Sequence, residues 1–502
     1  ELTVTVDGHP ARKFLIHPKR KWKVHFIHHS HLDIGYSDTI AAVTKGQARN
    51  LAKAIEYADM TQDWPRESRF HWTVESSWIV EQYLAAGGDV EHLREAIRRG
   101  QIEIAASYAG VYYDNCIDEM LLRQFYKVRE FEELLGAAAG ACMVTDIPGW
   151  PRGLAEALVD VGVPYLDASP HYLYAAPPDD FERPCIFYLK AHDTEKRALT
   201  WYSIYHYQQG NAGLKLFKGR SALEPHLANR LEHIARAGYS YDAYQVRIQG
   251  EFADNSKPNL TTSKTIRQWN ERWAYPKLIF STNQEVFGYM EREYGDQIPT
   301  VAGDISDWWV RGTLCYPIQT ALDRSTQRRL VEAETLASMA RLWNPAFEYP
   351  AEKIASAYQD TIIWKEHTHG YFAGRGEKNE EIWAGKKRCV EAAGRACDEA
   401  TSESVEALKA AFAGPEPGVL VVNTRSWPVE GYVEVAAPAV PDGCELKDPE
   451  SAAPVSCCRL EGGSKIRFWA KVPALAAKVY QVVECASAAA PSDLKVGEAE
   501  LE

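Results

Sequence analysis

The sequence predicts an α/β N-terminal region, then a helical bundle, then a β-sandwich. Three observations carry this. Between residues 22 and 169, short β-prone runs alternate with segments of helical spacing, as in a parallel sheet covered by helices in a layer or barrel. From about residue 300, long amphipathic helices take over. After GPEPG at 414–418, the chain turns to short β runs separated by turn residues.

The elements follow in order. WKVHFIH (22–28) is the first strand of the α/β region, and TIAAVTKGQARNLAKAIEYAD is the long helix after it. FHWTVES reads as a strand, SSWIVEQYLAAG and EHLREAIRRGQ as helices, and IEIAAS as a strand. MLLRQFYKVREFEELLG places apolar residues at helical spacing and is expected to be one helix. ACMVTDIPGWP is a strand ending in a turn, GLAEALVDVG its helix, and VPYLDAS another strand. The bundle helices are RSTQRRLVEAETLASMARLW and KKRCVEAAGRACDEATSESVEALKAAFAG, with a loop-rich stretch between them. VLVVNTRSW, GYVEVAAP, KIRFWAKVP and AKVYQVVE are the sandwich strands, and ASAAAPS near 486 is a loop. The closing APSDLKVGEAELE does not read as the end of a completed domain. There is no internal repeat.

Composition narrows the partners. The 502 residues are 46% hydrophobic and 25% charged, ordinary for a globular protein of two to four domains. No run approaches the length of a membrane-spanning helix. A net charge of −13 argues against nucleic acid or an anionic membrane and favours a neutral or small substrate, with a homo-oligomer left open. The 15 Trp and 26 Tyr are first of all core material, though flat rings also suit the apolar faces of sugars. The ten cysteines (116, 142, 185, 315, 389, 397, 444, 457, 458 and 485) form no CxxC pair and no framework. They read as reduced thiols in a cytoplasmic protein. The sequence opens on Glu1, and no signal peptide is visible.

Four stretches carry candidate chemistry. In HHSHLDIGY (28–36), His29, His31 and Asp33 share one parity at a strand end, where imidazole and carboxylate make good divalent-metal ligands. A merely polar loop would fit the same residues. In TDIPGWPR (145–152), Asp146 ends an apolar run before a helix, and the Pro-Gly-Trp-Pro insertion places it too early to be that helix's cap. WKEHTHG (364–370) offers His367 and His369 from a distant segment, beside a glutamate and a glycine. RIQGEFADNSKPN (247–259) offers Glu251 and Asp254 on a strand end and loop, where catalytic groups and plain solvated carboxylates both occur.

Together these stretches resemble the α-mannosidases of glycoside hydrolase family 38. HSHLDIGY resembles the family's HxHxDPGW signature, and TDIPGW stands where its DPFG segment stands. WKEHTHG occupies the place of HHDxxTGT, ETLASMARL resembles the first helix of the middle domain, and GVLVVNTRSWP resembles the NxxSW opening of the C-terminal β domain. Order and rough spacing match over nearly the whole chain.

The resemblance implies a seven-stranded-type α/β barrel over 20–298, a helical bundle over 299–414 and a β-sandwich over 415–502. It implies one divalent ion, zinc, held by His31, Asp33, Asp146 and His367, with Asp146 also the nucleophile of a retaining glycosidase. Such enzymes work with two carboxyl groups about 5–5.5 Å apart, one nucleophile and one acid/base. GEFADNSKP stands for the family's acid/base segment. Asp254 keeps the distance to the proline and Glu251 that to the glycine, and Asp254 is preferred. Tyr36 and Trp150 are candidate sugar-facing walls. Asp114, in GVYYDNCIDEM, resembles a pocket residue of the family, and His369 is a further substrate-binding candidate. The chain departs from the pattern at Ile34 and Tyr36, where the family has Pro and Trp, at DIPG, and at Thr368, where it has Asp. The expected substrate is an oligosaccharide or glycoside, an α-mannoside by default or another sugar with adjacent hydroxyls. The competing readings are a metal-dependent lyase or deacetylase, and a non-catalytic carbohydrate-binding relative.

Overall fold

The structure is a computed structural model that describes residues 2–14, 19–147, 149–169, 185–191, 194–203, 207–251, 253–305 and 313–484. The loop near 486, Cys485, Pro148 and the closing segment lie outside the described residues. The chain divides into two compact units, one of residues 1–327 with 358–392, the other of 328–357 with 393–502.

The first unit opens on a hairpin of β1 (Leu2–Val4) and β2 (Arg12–Phe14). Its α/β part holds β3 (Lys23–His29), β4 (Trp72–Val74), β5 (Ile102–Ile104), β6 (Ala141–Thr145), β7 (Tyr165–Ser169), β8 (Ile186–Lys190), β9 (Arg197–Tyr202), β10 (Ala243–Gln249), β11 (Lys277–Phe280) and β12 (Thr300–Ala302). β3 lies between β10 and β11, parallel to both. β4 and β5 are a parallel pair, and β12-β8-β9-β7-β6 form a sheet whose only antiparallel neighbours are β8 and β9. Parallel strands are covered on both faces, which is why β10 is buried at every residue and β3 at all but its first. Val24, Phe26, Val246, Ile248, Leu278 and Phe280 from β3, β10 and β11 share one core with Ile266, Trp269, Val286 and Phe287 from the helices Thr261–Arg272 and Asn283–Tyr294.

Local chemistry sets the connections. The helix Ile40–Met60 starts where the Thr39 side chain accepts from Ala42 N. The helix Asn283–Tyr294 starts on a reciprocal capping box between Thr282 and Glu285. Two expectations are corrected. MLLRQFYKVREFEELLG is two helices, Asp118–Arg123 and Tyr126–Leu135. Tyr108 N takes the Gln124 carbonyl at 2.8 Å, and Phe125 bonds back to Leu122, so the ladder is interrupted. The stretch between the two bundle helices is not mainly loop, because it contains the helix Ala351–Lys365. The helices around it are Pro317–Trp343 and Glu377–Ala411.

The second unit carries two antiparallel sheets. One orders β13 (Gly418–Asn423), β19 (Ala476–Glu484), β15 (Cys444–Lys447) and β16 (Pro454–Val455), and the other orders β14 (Val429–Ala436), β18 (Lys465–Val472) and β17 (Cys457–Leu460). Val419, Leu446, Ile466, Phe468, Tyr480 and Val482 from both sheets form one buried cluster. Among the described residues, every cysteine is free, and no helix is long and apolar enough to cross a membrane.

Candidate active site

The candidate site is built at the C-terminal ends of parallel strands, where open α/β folds bind ligands. β3 delivers His31 and Asp33, β4 delivers Glu75, β6 delivers Asp146 and β10 leads to Asp254. Alternation along β3 sorts its histidines. His28 packs among Phe70, Trp72 and Phe280, where burial holds its imidazole neutral and lowers it to about 3. His29 and His31 face the other way, and both meet Glu75.

His31 Nε2 lies 3.1 Å from Asp33 Oδ1, 3.2 Å from His367 Nε2 and 3.8 Å from Asp146 Oδ2. His367 Nε2 lies 3.3 Å from Asp33 Oδ1 and 3.9 Å from Asp146 Oδ2. All four side chains are buried or nearly so. The four candidate metal ligands of the sequence are therefore brought together, from positions 31 to 367.

The second partners of the two imidazoles fix their roles. His31 Nδ1 is 2.9 Å from Glu75 Oε1, and His29 Nδ1 is 2.8 Å from Glu75 Oε2. His367 Nδ1 hydrogen-bonds to Gly110 O at 3.2 Å and lies 2.9 Å from Glu366 Oε1, and Lys386 ion-pairs with the other oxygen of Glu366. Carboxylate and carbonyl oxygens accept only, so each Nδ1 carries a proton, and with an ion bound each Nε2 would present its lone pair. Two imidazole nitrogens and two carboxylate oxygens thus gather in one cluster, a donor set chemically suited to a divalent cation. A tetrahedral zinc ion with ligands at about 2.0–2.1 Å has ligand–ligand edges of about 3.3–3.4 Å. Five of the six separations among these donors are 3.1 to 3.9 Å and bracket that value, and the donor types suit the ion.

The carboxylates around the cluster favour positive charge within it. Burial opposes charge on both imidazoles, yet Glu75 and Asp33 carry His31 well above its ordinary value, and Glu366 and Asp33 carry His367 up to about 10. Burial would raise Asp33 and Glu75, but the His31 charge and the histidine hydrogen bonds hold both below the usual carboxylate range. Asp146 goes the other way. Burial raises it to about 7, outweighing the pull of His31 and His367. Asp146 also has a left-handed backbone, φ 61°, with its N–H on Ser169 O at 2.9 Å. That turn aims Oδ2 at the cluster, and buried Oδ1 has no hydrogen-bond partner among the described residues.

The remaining candidates separate. Asp254 Oδ1 accepts from Tyr207 Oη and from Gln249 Nε2, each at 3.1 Å, and burial pushes its carboxyl up. Tyr207 in turn lies beside His31, ring centroids 5.1 Å apart. Glu251 is exposed instead, its backbone N–H on Ser256 Oγ. Asp114 sits in the turn Tyr113–Asn115, next to the 110–112 segment that bonds to Lys365 and His367. Tyr36 is 39% exposed and bridges to Tyr371. Trp150 is not an open wall. It is 1% exposed and packs edge-on against Tyr202. His369 is corrected as a substrate contact, because its Nδ1 bonds Tyr316 Oη and its Nε2 bonds Trp364 O, both at 2.9 Å. Both ring nitrogens are satisfied there, amid Tyr316, Trp364 and Trp383.

Sequence reasoning missed Glu75, Gln249 and Tyr207 and gave Glu366 no role. Glu75 and Gln249 had a signal, since each is a polar residue at the end of a wholly buried strand.

The fold gathers an acidic and imidazole cluster at the ends of its parallel strands, and comparison with known proteins gives the family. The model of the "Glycosyl hydrolases family 38 N-terminal domain" matches residues 21–304, more than half of the chain, and the chain belongs to glycoside hydrolase family 38. An alpha-mannosidase from Enterococcus faecalis V583 has a similar fold, TM-score 0.74 at 14% identity, over 95% of this chain and 58% of that one. A second family 38 protein from Enterococcus faecalis is similar with TM-score 0.63 at 14% identity, over 96% of this chain and 56% of that one. The chain thus spans less than two thirds of either protein. No curated protein matches it.

Proposed function

We propose that this chain is a metal-dependent retaining glycosidase of the α-mannosidase type, with Asp146 as nucleophile and Asp254 as acid/base. The ion, zinc, would be held by His31, Asp33, Asp146 and His367. The observation that carries the reading is the gathering of His31 and His367 Nε2, each ring held through its Nδ1, with Asp33 and Asp146. When bound, the ion supplies a fixed positive charge that orients substrate hydroxyls.

The chain's own groups divide the remaining work. Asp146 Oδ2 faces the cluster, and its unpartnered Oδ1 is the oxygen that attacks the anomeric carbon. Asp254, kept protonated by burial, gives its proton to the leaving oxygen and later takes one from water. In this reading the parallel strands belong to a seven-stranded-type barrel, the helices after it to a bundle and the two antiparallel sheets to a sandwich. The free cysteines fit a reducing, cytoplasmic setting.

The test is hydrolysis of aryl α-mannosides and related glycosides, zinc-loaded and chelated, with the product anomer followed by NMR. Expected are zinc-dependent turnover with retention, and its loss in Asp146→Asn. Full activity of Asp146→Asn on every glycoside cleaved by the wild type would sink the mechanism.

A further inference from the structure

Gln249, the last residue of β10, is wholly buried and has every polar atom engaged. Its peptide is clamped by the Asn211 side chain, which accepts from Gln249 N at 2.9 Å and donates to Gln249 O. Its side-chain Oε1 accepts from His31 N at 2.8 Å. Its Nε2 donates to Ala253 O at 2.9 Å and to Asp254 Oδ1 at 3.1 Å. One amide therefore joins the backbone of the histidine loop to the acid carboxylate. Tyr207 Oη donates to that same Oδ1, while Oδ2 accepts no hydrogen bond among the described residues.

We propose that Gln249, together with Tyr207, is a positioning residue that makes Oδ2 the proton-bearing oxygen of Asp254 and aims it at the leaving group. This rests on the reading of Asp254 as acid/base. An oxygen that already accepts two hydrogen bonds is a poor site for the carboxyl proton, so the proton resides on the other one. In the glycosylation step, Asp146 Oδ1 forms a bond to the anomeric carbon as the glycosidic C–O bond breaks. The bond's electron pair goes to the leaving oxygen, which takes the proton from Asp254 Oδ2. The resulting carboxylate is stabilised by the two donors on Oδ1. Because Oε1 of the same amide holds His31 N, the oxygen that gives the proton is kept in register with the loop that carries His31 and Asp33.

The test compares kcat/KM on two substrates of one sugar, 2,4-dinitrophenyl α-mannoside, whose leaving group needs no proton, and methyl α-mannoside, whose leaving group does. Gln249→Glu keeps the acceptor toward His31 and replaces the donor toward Asp254. Tyr207→Phe removes the other donor and keeps the ring against His31. Each is expected to lower kcat/KM on the methyl glycoside by roughly 10- to 100-fold, part of the 10²- to 10⁴-fold range of general acid catalysis. On the dinitrophenyl glycoside the loss is expected to stay within a few fold. Asp254→Asn is the reference and should show the same selectivity more strongly. Equal losses on both substrates, or none, in both variants overturn the positioning role while the Asp254 reference still holds. An Asp254→Asn enzyme without leaving-group selectivity overturns the acid/base reading and this inference with it.

Discussion

The Glu75→Gln substitution tests the design of the cluster at the point where its geometry is least ambiguous. Glu75 gives one oxygen to His29 Nδ1 at 2.8 Å and the other to His31 Nδ1 at 2.9 Å, with all three side chains buried. An amide of the same shape offers one acceptor and one donor. It can satisfy only one of the two imidazoles as they stand. If the donor faces His31, that ring must move its proton to Nε2, the atom that converges on Asp33 and His367, and it can no longer ligate. If the donor faces His29, the proton moves to His29 Nε2, a buried atom with no partner among the described residues, and His31 is spared. The second arrangement costs less, so the site should be weakened rather than destroyed. Loss of such a bracing carboxylate typically lowers metal affinity about 10- to 100-fold. That corresponds to about 1.4–2.7 kcal/mol of binding free energy. Zinc titration against a chromophoric chelator measures it directly, and Glu75→Ala should lose more than Glu75→Gln. Zinc bound as tightly by Glu75→Gln as by the wild type would refute the bracing role.

Two further outcomes follow from the same residues. Without the ion, His367 holds its proton up to about pH 10, well above its ordinary value of 6.5. Zinc must displace that proton, so apparent affinity should rise as pH rises toward 10, by about tenfold per pH unit for each proton released. Zinc dissociation constants at three pH values between 6.5 and 8.5 check this, and a flat profile contradicts it. The stability linkage runs the other way. A raised histidine pKa stabilises the ion-free fold fully below pH 6.5, and that contribution is lost as pH climbs to 10. Melting of the chelated protein should therefore fall more steeply than that of the zinc-loaded protein over this range. Separately, Arg247 is fully buried, with Nε on Asp167 Oδ2 at 3.0 Å and Nη1 on Thr145 Oγ1 at 2.8 Å. Asp167→Ala leaves the guanidinium buried without its counter-ion and should destabilise the protein by about 3–5 kcal/mol in urea unfolding. A change under 1 kcal/mol would mean the pair is not holding β7 and β10 together.

Much of the fold was legible because its code is local. β3 and β6 announced themselves as short apolar runs closed by polar residues, and the helix Ile40–Met60 by its spacing. The failures are tertiary. Residues 120–136 have an unbroken helical pattern, and only a long-range donor, Tyr108 N, divides them at Gln124. The helix Ala351–Lys365 falls in the stretch read as loop-rich and runs into the WKEHTHG motif.

The site was legible in a different way. His31, Asp33, Asp146 and His367 could be nominated singly, because residue type and strand-end position are visible in sequence and a resemblance supplies their order. What decides between neighbours is not visible. Glu251 and Asp254 stand three positions apart on one loop, and both are acidic. Only the fold shows that Asn255 binds the His31 segment, its N–H on His31 O at 2.8 Å and its side chain on Asp33 O at 3.0 Å. That double anchor, with Asn255 itself in a left-handed conformation at φ 57°, draws Asp254 under Tyr207 and turns Glu251 to solvent. An asparagine tolerates that backbone better than most residues, which is a sequence-level reason for Asp-Asn at 254–255. His367 and His369 divide by the same logic. One meets a carboxylate through Nδ1 and keeps Nε2 for the cluster, and the other has both nitrogens bonded within the protein. In each pair, tertiary partners decide which residue turns toward the cluster.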